Sequence, residues 1–277
     1  MSENNDKWQL IEQIKQRKVN KSQLQGVDLS DTNLSDANLS DTNLSDANLS
    51  DANLSDANLT NANLSDVNLS GARLNRSNLS GTYLFGANLS DVNLSAANLT
   101  NANLGYASLS GAYLFDGNLS NVNLRGANLN NVPLLYSNLS GANLSGANLS
   151  GADLSATKID NKTQLDIKWR TVWEIVNQPQ LNRDLSGYDL SFANLTGANL
   201  FSADLRYANL TGANLFSADL RYANLIDADL KNAYLVAARF NYNQGISESL
   251  KQDLISRGAI FEDDPGSRDR QRSLVPV

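Results

Sequence analysis

Leucine stands at residues 24, 29, 34 and every fifth position to Leu154, 27 positions without a miss, and Ile159 makes a twenty-eighth. A second run holds Leu185 to Leu235 at the same spacing and closes on Phe240, for twelve more. No single regular element can use this period. In an α-helix a step of five rotates about 140° around the axis, so the leucines would spiral instead of lining one face. In a straight strand an odd step changes face each time. The chain must therefore turn a corner inside every five residues.

A second position supports this. Two residues before each Leu sits a small one: Ala37, Ala47, Ala52, Ala57, Val67, Ala72, Thr82, Ala87. Leu and its partner at −2 share one side of the backbone, and the other three residues face out. Two β-like residues and a turn then close each side of a coil, and the coils stack as a solenoid that buries each Leu layer on the next. The phrase A-(D/N)-L-(S/T)-x resembles the pentapeptide repeat proteins, cyanobacterial ones included, over roughly residues 22 to 242 apart from one interruption. The resemblance implies an all-β solenoid, a right-handed quadrilateral β-helix with four repeats per coil. On that count 28 repeats make seven coils and 12 make three. Ten coils at the sheet spacing give a rod of about 48 Å.

The remaining chain punctuates the repeats. In DKWQLIEQIKQR, Asp6 and Gln9 have capping-box spacing, and Trp8, Ile11 and Ile14 share a helical face. Residues 1–21 are read as an N-terminal capping helix, because a solenoid end exposes Leu and open strand edges. The first repeat run is 22–160 and the second 183–243. Between them, 161–182 reads as an insertion with a short helix ending near Pro179. Ser247 as cap, the Leu250, Leu254, Ile255 stripe and Gly258 outline a C-terminal capping helix over 244–261. Residues 262–277, charged and bearing Pro and Gly, read as a disordered tail.

Composition removes several functions. There is no Cys and no His, hence no disulfide, thiolate zinc site, Ser-His-Asp triad or His base. The repeats supply ladders of identical Asn, Ser and Asp in place of the converging cluster of unlike groups that catalysis needs. We expect no enzymatic activity, no catalytic residue, no cofactor and no metal. The N-terminus lacks an apolar signal core and no run approaches a membrane span, so a soluble, cytoplasmic protein is expected. A net charge of −7 argues against direct nucleic-acid binding.

That charge is uneven. Between Ser22 and Ala72 stand Asp28, Asp31, Asp36, Asp41, Asp46, Asp51, Asp56 and Asp66, with no Lys or Arg. Locally this is one charge per about 1.5 Å, near the roughly 1.7 Å of duplex DNA. Some pentapeptide repeat proteins are DNA mimics that bind DNA gyrase, so the resemblance carries an alternative function, an acidic mimic of DNA. Over the whole rod the charge is diluted to one per about 7 Å, roughly fourfold too sparse. The leading expectation is a protein–protein interaction scaffold, monomeric or weakly dimeric, with an unidentified protein partner.

Candidate partner-binding residues are those that depart from the repeat. Residues twenty apart fall on one face, so Tyr113, Phe115, Leu135 and Tyr136 form one outward patch, with Tyr83, Phe85 and Tyr106 on the opposite face. Trp169 and Trp173 mark the insertion. Phe201, Arg221 and Tyr222 cluster in the second run, with Phe201 placed to lie against the Arg221 guanidinium.

Overall fold

The computed structural model describes residues 2–20 and 24–262. The tail beyond Glu262, read above as disordered, lies outside the described residues. The chain divides into two compact units, Met1–Asp166 and Ile167–Val277. Among the described residues there are three helices, α1 (Ser2–Lys15), α2 (Ile167–Asn177) and α3 (Glu248–Ser256), and two short parallel strands, β1 (Arg239–Phe240) and β2 (Ile260–Phe261). Among the described residues no helix is long and apolar enough to cross a membrane.

The repeats of both units form coils of four five-residue sides. Parallel bridges join residues twenty apart, as in Asn33 to Asn53 and Asn194 to Asn214. The bridged residue is the one before each Leu, and each side contributes a single bridging residue, as Asn48 does to Asp28 on one coil and Asn68 on the next. Two extended residues are too few to build a longer strand before the chain turns. The ladder uses both directions: Asn53 N–H donates to Thr32 C=O at 2.8 Å, and Leu34 N–H to Asn53 C=O at 2.7 Å.

The corner is a type II turn. After Leu34 and Ser35, Asp36 sits at φ 59°, and the Ala37 amide returns to the Leu34 carbonyl at 3.1 Å. Such a turn needs φ > 0 at its third residue, which favours Gly, Asn and Asp. That requirement explains why S-D-A, T-N-A and S-G-A alternate in the sequence. It also explains most of the acidic run, because Asp31, Asp36, Asp41, Asp46, Asp51, Asp56 and Asp66 all occupy this position, at φ 55° to 61°. The turn is locked from the outside as well. Asn33 Oδ1 accepts the Ser35 amide at 3.1 Å and the Asn53 side-chain amide from the next coil at 3.2 Å. The same ladder recurs from Asn43 to Asn63 and from Asn48 through Asn68 to Asn88.

Inside each unit the leucines stack with their −2 partners. Leu29 to Leu154, and Leu185 to Leu235, are at most 5% exposed. Where a hydroxyl replaces the inward Ala it finds a partner without leaving the core. Thr82 Oγ1 donates to Leu79 C=O at 2.7 Å and Ser77 Oγ to Leu74 C=O at 2.6 Å, each using a turn carbonyl.

Two details depart from the sequence reading. α1 begins at Ser2, so Asp6 lies inside the helix and is not its N-cap. Residues 161–166 belong to the first unit rather than to an insertion: Asn143 bridges Gln164, 21 residues on. The extra residue is absorbed at Asp160, whose Oδ1 accepts the amides of Gly141, Lys162 and Thr163 at 2.9 to 3.0 Å. Those bonds, the Gly141 amide foremost, hold the Asp160 carboxyl below the usual carboxylate range. At the far end, Ser247 accepts the Leu250 amide and caps α3. α3 closes in a Schellman motif, with Ala259 N–H on Leu254 C=O and Gly258 at φ 91°.

Candidate protein-interaction surface

The walls of both units are polar and nearly uniform, and the aromatic residues that interrupt them occupy a particular place. Tyr106, Tyr136, Phe192, Tyr207 and Tyr222 sit at the third residue of the type II turn, at φ 55° to 63°, and Tyr242 holds φ 49° at the equivalent place of its repeat. Most other repeats place Asp, Asn or Gly there, and Arg76, Ala96, Ala156, Ser202, Ser217 and Ala237 fill the rest. A bulky side chain in the left-handed region is unfavourable by about 1–3 kcal/mol. All six remain exposed, from 47% at Tyr222 to 68% at Tyr242. They neither fill the core nor relieve their turns.

Several form ring pairs across adjacent coils. Phe115 and Tyr136 meet edge to face at 5.5 Å, and Phe85 and Tyr106 at 5.6 Å. In the second unit Phe201, Tyr222 and Tyr242 make a ladder, with centroids 5.1 and 5.4 Å apart. Phe216 and Tyr234 stack beside it at 6.2 Å. Phe85, Phe115 and Phe201 directly follow a core Leu, and the ring each meets lies 21 residues on, so one geometry produces all three pairs.

The sequence candidates divide accordingly. Tyr113, Phe115 and Tyr136 are outward and exposed, and Leu135 beside them is half-buried. Phe201 and Tyr222 meet, and the Arg221 guanidinium lies 5.6 Å from the Phe201 ring. Trp169 is different: it is 7% exposed, packed in α2 with the Lys168 ammonium 4.9 Å from its ring. A partner cannot reach it, so it is not an open anchor, and Trp173 is half-buried. Tyr242, Phe216 and Tyr234 were missed. The twenty-residue offset places Tyr242 over Tyr222, and that signal was available from the spacing alone.

Arg221 is committed to an ion cluster. It grips Asp219 through Nε and Nη2, at 2.8 and 2.6 Å, and reaches Glu262 at 3.2 Å. Arg239 donates to Glu262 through Nε at 2.7 Å. Hydrogen bonds from Arg221 hold the Asp219 carboxyl below its ordinary range and raise the Arg221 guanidinium in turn. Burial opposes ionisation of Glu262, but Arg239 and Arg221 outweigh it and its carboxyl is lowered too. The cluster fixes Arg221 under the ladder and ties the segment after β2 to the coil wall.

A family model for pentapeptide repeats matches in eight copies, over residues 22–61, 52–91, 62–100, 93–131, 134–161, 184–215 and 213–242. The chain belongs to the pentapeptide repeat family. As a pentapeptide repeat protein it has the family's right-handed β-helix. Among solved structures it is similar to HetL of the cyanobacterium Nostoc sp. strain PCC 7120, a pentapeptide repeat protein involved in heterocyst differentiation regulation. That match is 32% identical, covers 80% of this chain and 86% of HetL, and has a TM-score of 0.19. A pentapeptide repeat protein of the Arabidopsis thaliana thylakoid lumen is 31% identical over 39% of this chain and 74% of its own, with a TM-score of 0.38. QnrB1, a plasmid-mediated fluoroquinolone resistance protein, is 14% identical over 91% of this chain and 97% of its own, with a TM-score of 0.30. The comparison with curated proteins gives no match.

Within this pentapeptide repeat protein the two units present different surfaces. Residues 24–82 contain no aromatic side chain, and their outward corners are Asp, Asn and Gly apart from Arg76. The second unit carries Phe192, Tyr207, Tyr222 and Tyr242 at φ > 0.

Proposed function

We propose that this protein is a non-enzymatic scaffold that binds a protein partner through the aromatic groups on its coil walls. On this reading the repeats make about seven coils before Asp166 and about three after Leu185, with α1 covering the start of the first unit and α3 the end of the second. The observation that carries the reading is the set of exposed aromatics at φ > 0 turn positions, where Gly or Asn would satisfy the fold at lower cost. Side chains placed against the backbone's preference and left in solvent are suited to contact something else. A self-identical wall cannot set a partner's register, whereas Phe115–Tyr136 and Phe201–Tyr222–Tyr242 can, and aromatic anchors dominate interface energetics.

The acidic alternative gains no support from the geometry. The Asp run follows from the turn, where Asp, Asn and Gly interchange, and Asp56 is already held by Arg76 in a two-bond pair at 2.8 and 2.6 Å.

The test compares the native chain with Tyr136→Gly and Tyr222→Gly in capture from a lysate of the source organism, with melting measured in parallel. Each variant relieves a strained turn while Tyr136→Gly loses one ring contact and Tyr222→Gly two, each worth about 0.5–1.5 kcal/mol, so the two effects oppose and stability should change little. Loss of a specifically captured protein by tenfold or more, with melting preserved, supports the reading. Capture unaffected by both changes but abolished by Asp46→Asn, Asp51→Asn and Asp56→Asn together, with inhibition of gyrase supercoiling by the native chain, would establish the acidic mimic instead.

A further inference from the structure

The segment read from sequence as an insertion repeats the segment that precedes the first coil. Lys7 and Trp8 recur as Lys168 and Trp169, Ile11 as Val172, Ile14 as Ile175, and the first core leucine, Leu24, as Leu185. Every pair lies 161 residues apart, as from Lys7 to Lys168.

The contacts repeat with the residues. Lys7 Nζ reaches Asp28 Oδ2 at 3.5 Å and Ser30 Oγ at 3.3 Å. Lys168 Nζ reaches Asp189 Oδ2 at 3.0 Å and Ser191 Oγ at 2.9 Å. These acceptors too are 161 residues apart, from Asp28 to Asp189 and from Ser30 to Ser191. Ile11 and Ile14 are 5% and 0% exposed, Val172 and Ile175 1% and 2%. The pairs differ at one place: Trp8 is exposed where Trp169 is buried.

The first coil of a stack has no coil beneath it, and its leucines and open edge need a cover. Leu185 opens the second run, yet it is 1% exposed, as covered as the leucines of interior coils. A second set of contacts holds α2 to that run: Arg183 donates to the Gln178 carbonyl at 2.7 Å and pairs with Glu174 at 3.7 Å.

We propose that α2 is a second N-terminal cap, latched by Lys168, and that the chain is two separately sealed solenoid units in tandem rather than one solenoid broken by an insertion. Each unit carries its own cap, lysine latch and core, and each unfolds as its own cooperative body.

Hydrogen exchange on the full-length chain, read by peptide mass, tests this. An aspartate within a cap's apolar stripe should detach that cap. Val172→Asp should lower protection across 185–262 by about a hundredfold and leave 29–160 within about threefold. Ile14→Asp should do the converse. Protection retained at 185–262 in Val172→Asp, or lost together in both halves, overturns the proposal. The milder Lys168→Ala removes only the latch and keeps the test open should Val172→Asp prove insoluble. It should lower protection of 185–204 by about tenfold while 29–160 is unchanged, and full protection at 185–204 overturns the proposal as well.

Discussion

Leu94 offers the sharpest quantitative test of how the solenoid is held together. It is 1% exposed and stacks between Leu74 and Leu114, both fully buried. In Leu94→Ala the lost transfer energy adds to the energy of whatever cavity remains, and the cavity term depends on how far the surroundings relax. Here they relax little. The Leu94 amide is tied to Tyr113 C=O at 2.8 Å, the Asn93 amide to Ala72 C=O at 3.0 Å, and the Ala97 amide to Leu94 C=O at 3.0 Å. Coils pinned on both sides cannot close over the missing isobutyl group, so the cost should lie in the upper part of the Leu→Ala range, about 3–5 kcal/mol. For a body of this size each kcal/mol moves the midpoint by about 2–4 °C, so thermal unfolding should shift down by roughly 6–20 °C. Denaturant titration followed by far-UV circular dichroism measures the same quantity, with Ser95→Ala on the adjacent wall as a control expected within about 0.5 kcal/mol. A Leu94→Ala cost below about 1 kcal/mol would refute the close-packed stack. Either the leucine layers are not in contact or the coils slide to fill the gap.

Three further outcomes follow from turns, charges and glycines. At Asp51, φ 58°, replacement by Gly should leave stability within about 0.5 kcal/mol, whereas Val, a β-branched residue forced to φ > 0, should cost about 1–3 kcal/mol by chemical denaturation. Gly71→Ala should be unfavourable by about 1 kcal/mol or more, because Gly71 sits at φ 69° and an added methyl would overlap the Asp51 carboxylate of the coil before; Gly146→Ala, also at φ 68° but with nothing near, should cost less in the same assay. The carboxyls of Asp28, Asp160, Asp184, Asp204, Asp219 and Glu262 are all lowered in the folded chain. A lowered folded value means that this stabilisation is fully present above the ordinary carboxylate range and is lost as pH falls through the folded values. Melting should therefore be flat from about pH 5 to 8 and decline below about pH 4, and a maximum on the acid side would contradict the assignment.

The five-residue period was sufficient to exclude helix and straight strand and to demand a cornered solenoid, because side-chain direction in regular structure depends on spacing alone. The inward pair of Leu and a small residue was equally legible, and Leu29 to Leu154 are buried as the spacing requires. So was the apposition of Phe115 with Tyr136 and of Phe201 with Arg221, since a fixed twenty-residue coil converts sequence distance into spatial contact. The tertiary structure alone decided what the outward residues are for. Asp36 and its equivalents look like a charge pattern in sequence, but a type II turn makes them conformational choices equivalent to Gly. Tyr136 and Tyr222 look like ordinary surface aromatics until φ shows that each is placed against its backbone preference. Trp169 and Trp173 mark a helical insertion in sequence and stand as candidates for partner binding, yet Trp169 is buried within α2, because the burial of a helix face depends on which coil it meets. That contact lies between residues far apart in the chain, and local patterning carries no record of it; only the match of Lys168, Asp189 and Ser191 to Lys7, Asp28 and Ser30 exposes it.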